Sequence, residues 1–112
     1  MKRGGRLRRK ARLRALSAAT RRRLPLVRIW AVGVKTRDGR CQNPGCGATQ
    51  DLEAHHVYPR RRYPDLRTVP ENGLTLCREC HRAWHRASRA WLEWWKLTWP
   101  ERAAYLLARL TD

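Results

Sequence analysis

Every cysteine and every histidine of the chain lies between Cys41 and His85, in the order Cys41-x4-Cys46, His55-His56, Cys77-x2-Cys80-His81-x3-His85. Thiolates and imidazoles are ligands for zinc-like ions, and closely spaced cysteine pairs act as metal clasps. Cys41, Cys46, Cys77 and Cys80 are therefore read as one tetrahedral zinc site. Two disulfides are the competing reading, but they suit a secreted framework, and Met1 to Arg23 has no apolar stretch of the kind a secretory signal needs.

The four imidazoles predict a second centre. LEAHHV alternates like a strand, so the adjacent His55 and His56 point to opposite faces, and one can meet a metal while the other faces elsewhere. Arg78 to Arg89 is free of Gly and Pro and predicts a helix, with His81 and His85 on one face. Together with one strand histidine they offer up to three imidazole ligands and leave positions open for water and phosphate. An ion held this way neutralises a scissile phosphate and stabilises the departing 3′ oxygen. The free histidine, whose pKa lies near neutrality, takes the proton of the attacking water. Cys80 and His81 differ by about 100° of helix rotation, so one short helix can serve both centres.

These groups need a scaffold. CQNPGC is a turn-rich knuckle, GLTL a second short strand, and the three prolines of YPRRRYPDLRTVPEN make the intervening segment a surface loop. Upstream, Leu24-Pro25 marks a boundary, and LVRIWAVGVKTRDGR predicts a helix ended by Asp38-Gly39. Downstream, Trp91, Trp94, Trp95 and Trp99 form a packing stripe for helices or a dimer contact. Thr98-x-x-Glu101 with Pro100 at the first helical position reads as a capping box opening a last helix, about Trp99 to Leu110. The resulting division is a basic arm at 1–24, a metal-bearing domain at 25–90 and a helical extension at 91–112.

Charge points to the partner. The chain of 112 residues has 26 Lys and Arg against 9 acidic residues, a net +17, which favours a polyanion and nucleic acid first; a membrane surface is the weaker alternative. Residues 1–23 carry 11 of those cations and no acid, leaving +6 for the rest. A basic helix from about Arg6 to Ala19 is expected to grip phosphates through Arg8, Arg9 and Arg12, and the loop run Arg60-Arg61-Arg62 to do the same. Phosphate contacts carry no sequence information, so weak sequence specificity is expected. With no apolar run long enough to span a bilayer, a soluble intracellular protein is the expectation.

The series His55-His56-Val57-x-Pro59, then Asn72-Gly-Leu-x-Leu-Cys77-x-x-Cys80-His81-x3-His85, resembles the HNH endonuclease family over about residues 26–88. The resemblance implies an α+β fold, a small ββα-metal (His-Me finger) core with structural zinc, here flanked by an N-terminal basic helix and C-terminal Trp-rich helices. It implies nicking or cleavage of DNA by metal-dependent phosphodiester hydrolysis. Carried over, it makes His56 the general base, His55, His81 and His85 the ligands of a catalytic divalent ion such as Mg²⁺ or Mn²⁺, and Cys41, Cys46, Cys77 and Cys80 the ligands of structural Zn²⁺. Asn72 would hold the strand and the His56 imidazole in place. The knuckle departs from the family's zinc-bearing branch, where two residues commonly separate the first cysteines rather than four.

Free-standing members of this size are similar to those of bacteriophages, some acting beside the terminase in genome packaging, and to intron-borne and restriction enzymes. That implies DNA as partner, a homodimer or packaging proteins as further partners, and the host cytoplasm as location. Two other readings compete: a non-catalytic zinc-finger DNA-binding module, and a protein-interaction finger in which all eight Cys and His side chains bind two structural zinc ions.

Overall fold

The computed structural model describes residues 18–111. Arg8, Arg9, Arg12 and all but the last two residues of the expected basic helix lie outside them. The described residues form α1 (Ala18–Asp38), a hairpin of β1 (Leu52–His56) and β2 (Gly73–Cys77), then α2 (Arg78–Arg86), α3 (Ser88–Thr98) and α4 (Pro100–Thr111). This is the expected α+β arrangement, with a two-stranded antiparallel sheet followed at once by a helix. None of the described helices is long and apolar enough to cross a membrane.

β2 is wholly buried, and Leu74 and Leu76 anchor a core that takes in Val57, Leu66, Val69, Trp84, Trp95 and Leu106. The register pairs Leu52 with Cys77, His55 with Leu74 and His56 with Gly73. A one-residue slip would exchange every face of β1, so the buried Leu74 and Leu76 hold the two histidines in their orientations.

α1 lies on the hairpin through Trp30 and Val34, both buried. Its C-terminal end is tied to β2: Thr75 N donates to Asp38 Oδ2 at 2.9 Å, and Arg37 donates to the carbonyls of Gly73 and Pro70. Gly39, at φ 73°, ends the helix in the left-handed region, as expected of Asp38-Gly39.

Three local expectations are corrected. Leu24-Pro25 does not break the chain's path, because α1 runs through Pro25; proline forfeits one helical hydrogen bond, and packing of the downstream turns on the sheet carries the helix across it. The helix expected over Arg78–Arg89 stops at Arg86. Ala87 turns the chain so that Trp91 meets Trp84, with ring centroids 5.7 Å apart, and Trp95 becomes fully buried. The capping box is not formed: Thr98 is the last residue of α3, and its hydroxyl donates back to the Trp94 carbonyl at 2.7 Å.

The tryptophans pack among the terminal helices. Trp91, Trp94 and Trp99 succeed one another edge to face, with centroids 5.6 and 5.5 Å apart.

Candidate active site

Two clusters of side chains able to hold a metal ion both draw on α2, Cys80 entering one and His81 and His85 the other. In the first, Cys41, Cys46, Cys77 and Cys80 place their sulfurs within 4.8 Å of one another. The knuckle is fixed by Cys41 N donating to the Ala48 carbonyl at 2.8 Å and Cys46 N to the Asn43 carbonyl at 2.9 Å. Cys77 is also the N-cap of α2, its sulfur accepting from Cys80 N at 3.5 Å. All four are free thiols, and Cys46 Sγ lies 3.7 Å from Cys77 Sγ. That is far beyond the ~2.05 Å of a disulfide. It is close to the edge of a tetrahedron drawn with Zn–S bonds of ~2.3 Å, so the donor set fits zinc. The Cys80 N–H holds the Cys77 thiol below its ordinary value, while burial pushes Cys41 up and Cys80 to about 12. Without a cation to displace their protons, Cys41 and Cys80 stay neutral at neutral pH.

The second cluster is His55, His81 and His85, whose ring nitrogens also lie within 4.8 Å of one another. β1 supplies the first and the i, i+4 face of α2 the other two. His55 is 3 % exposed and packs its ring 4.4 Å from Trp84. Its Nε2 is buried with no hydrogen-bond partner. Burial first, then the neighbouring histidines, lowers its pKa from 6.5 to about 2, so the ring keeps a free lone pair. A buried, neutral, unpartnered imidazole nitrogen facing two more imidazoles is costly unless a cation fills the gap, so this set too fits a metal.

Glu53 was not anticipated from sequence. Its Oε1 lies 2.9 Å from His81 Nδ1. A carboxylate there fixes the His81 tautomer and turns Nε2 outward, as second-layer carboxylates do for metal-bound histidines. The available signal was its place two residues before His55, hence on the same strand face.

His56 faces the other way. Its ring stacks on Trp30, centroids 3.9 Å apart, and its Nε2 lies 2.9 Å from the Arg67 carbonyl. Because a carbonyl only accepts, that nitrogen carries the proton and Nδ1 holds the lone pair. Burial holds the His56 pKa below its ordinary value, the Arg67 carbonyl opposing and the Arg60 charge reinforcing the effect. The ring is therefore a neutral base at neutral pH.

Asn72 is fully buried between the strands' ends. It accepts from Tyr58 N at 2.8 Å and donates to the carbonyls of Tyr58 and Leu66, both at 3.1 Å. It makes no hydrogen bond to His56 itself. Its action is on the chain that leaves β1 and on the loop whose next residue, Arg67, meets the imidazole.

Both kinds of histidine open on one cleft of about 790 Å³, lined by His55, His56, His81 and His85 with Arg60, Arg61 and Arg62. Those three arginines are exposed, and Arg89 of α3, which the sequence reading passed over, joins them at the same cleft. A neutral base, three convergent imidazoles and a cationic rim form a site suited to a phosphodiester.

No curated protein and no solved structure matches the chain. Residues 39–87, which hold both cysteine pairs, the hairpin and α2, match the model of the family described as HNH endonuclease.

Proposed function

We propose that the protein is a metal-dependent DNA endonuclease of low sequence specificity, with His56 as general base and with His55, His81 and His85 holding the catalytic ion. The observation that carries this reading is the meeting of those three imidazoles within 4.8 Å beside a neutral His56 in one arginine-rimmed cleft. A zinc-finger module without activity would leave the buried His55 Nε2 unpartnered to no purpose.

A divalent ion at the three histidines supplies charge neutralisation of the scissile phosphate and of the departing oxygen. The chain's own residues do the rest. His56 accepts a proton at Nδ1 from the attacking water, while its Nε2–H stays on the Arg67 carbonyl and fixes the ring's tautomer. Arg60, Arg61 and Arg62 hold neighbouring phosphates. Glu53 orients His81. Cys41, Cys46, Cys77 and Cys80, with zinc, tie the knuckle to the start of α2 and keep His81 and His85 in register with β1.

Supercoiled plasmid incubated with the protein and Mg²⁺, Mn²⁺ or EDTA tests the reading. Nicked circles are expected only with added metal. A mobility shift with no cut in any metal would assign the chain to the binding-module class.

Two further outcomes follow. Glu53→Ala weakens binding of Mn²⁺ at the histidine cluster by roughly 10- to 100-fold with zinc content unchanged, as read by metal titration; unchanged affinity would remove Glu53 from the site. DNA binding weakens steeply with salt, each phosphate-gripping arginine contributing roughly 0.9 to the slope of log K against log salt. Replacing Arg60, Arg61 and Arg62 with alanine lowers that slope by two to three, roughly, if all three grip phosphate. Fluorescence anisotropy at several salt concentrations measures it, and an unaltered slope would place the phosphate contacts elsewhere.

A further inference from the structure

Trp30 is the one tryptophan upstream of the cysteine knuckle, and its hydrogen bond reaches across 39 residues of sequence to Val69. It is 6 % exposed, its Nε1–H donates to the Val69 carbonyl at 2.8 Å, and its ring lies nearly parallel to His56 at 10°. The His56 ring is thus restrained twice. The indole face sets its plane, and the Arg67 carbonyl sets its direction within that plane. A side chain with two soft torsions needs two such restraints.

The slot that admits the indole is built into the opposite strand. Gly73 is the register partner of His56, and a Cβ at Gly73 would lie 2.9 Å from Trp30 Cζ2 and 2.3 Å from Val34 Cγ2. Any side chain there would drive α1 off the hairpin at the point where the base sits. The backbone of Gly73 is extended, so its lack of a side chain serves this close approach and not a turn.

We propose that Trp30, admitted by Gly73, is a positioning residue for the general base: it holds the His56 imidazole in the orientation that presents Nδ1 to the attacking water. The inference rests on the endonuclease reading for its kinetic consequence. Near-attack geometry is sensitive to displacements of about 1 Å, which can cost 100-fold in rate.

The test compares Trp30→Leu, Trp30→Phe and Trp30→Met with wild type, each also in a His56→Ala background. Trp30→Leu is expected to lower kcat by about 10- to 100-fold with KM, zinc content and Mn²⁺ affinity unchanged. Trp30→Phe, which keeps an aromatic face, is expected to recover most of the loss. In the His56→Ala background Trp30→Leu should have no further effect, since the group it positions is gone. If Trp30→Leu fails to fold, Trp30→Met replaces it, and equal kcat for Phe and Met would overturn the proposal. So would an undiminished effect of Trp30→Leu without His56.

A readout independent of cleavage keeps this separate from the nuclease reading. Nitrogen-15 and proton spectra of the His56 ring should show a single Nε2–H tautomer with ring protons shifted upfield by the indole, both lost in Trp30→Leu. Wild type that cuts nothing yet shows this signature ends the nuclease reading and leaves the clamp standing. A His56 ring averaged over tautomers in wild type ends the clamp.

Discussion

Replacing His56 with alanine is expected to lower the rate of DNA cleavage by a factor of about 10² to 10⁴ and to leave DNA affinity nearly unchanged. The magnitude is what a positioned general base contributes. The selectivity follows from the geometry: His56 faces Trp30 and the Arg67 carbonyl, away from the packing around His55, so removing its ring does not disturb the three-histidine cluster. The phosphate contacts proposed for Arg60, Arg61 and Arg62 would remain. The measurement is single-turnover cleavage of a labelled oligonucleotide duplex, with anisotropy on the same duplex for binding. Cleavage by His56→Ala at the parent rate would remove His56 as the base.

Removing zinc from the site proposed at Cys41, Cys46, Cys77 and Cys80 is expected to unfold the protein. The loop carrying Cys41 and Cys46 and the start of α2 are joined by the four sulfurs, and the buried apolar cluster around Leu74, Leu76, Trp84 and Trp95 is small. Structural zinc in small domains contributes ~10–16 kcal/mol of apparent binding free energy at neutral pH. Whole domains are stable by only about 5–15 kcal/mol, so losing the ion removes most or all of the margin. One zinc per chain should survive dialysis. A strong chelator, or Cys77→Ala, which deletes a ligand and the α2 cap together, should abolish the cooperative thermal transition seen by circular dichroism. A stripped protein that melts cooperatively at the holo temperature would make the zinc dispensable.

The two centres were legible in sequence because their ligands have distinctive chemistry and local spacing. Cysteine pairs make knuckles, and His81 and His85 need only a helix to converge. Strand alternation separated His55 from His56, and the end of α1 was legible because glycine alone accepts φ 73° easily at Gly39. What escaped notice depends on partners distant in sequence. Glu53 reads as one more polar residue on an alternating strand until α2 brings His81 to it. The carbonyl that orients His56 has no sequence signature, since every residue has one. Trp30 looked like ordinary core because its meaning lies in the face it turns to His56 across the slot at Gly73. The helix break at Ala87 accompanies the burial of Trp95 and the contact of Trp84 with Trp91, while at Thr98 the hydroxyl that would cap α4 is taken up by the Trp94 carbonyl.

Cleavage is proposed to depend on an ion at His55, His81 and His85, distinct from the zinc. The most direct test of that dependence is plasmid nicking by zinc-loaded wild type and His55→Ala across a Mn²⁺ series, with Mn²⁺ binding followed on the same samples. Nicking should rise with occupancy of the histidine site and vanish in His55→Ala while one zinc per chain remains. Nicking by His55→Ala at the wild-type rate, or nicking that persists with one zinc per chain as the only metal, would contradict it.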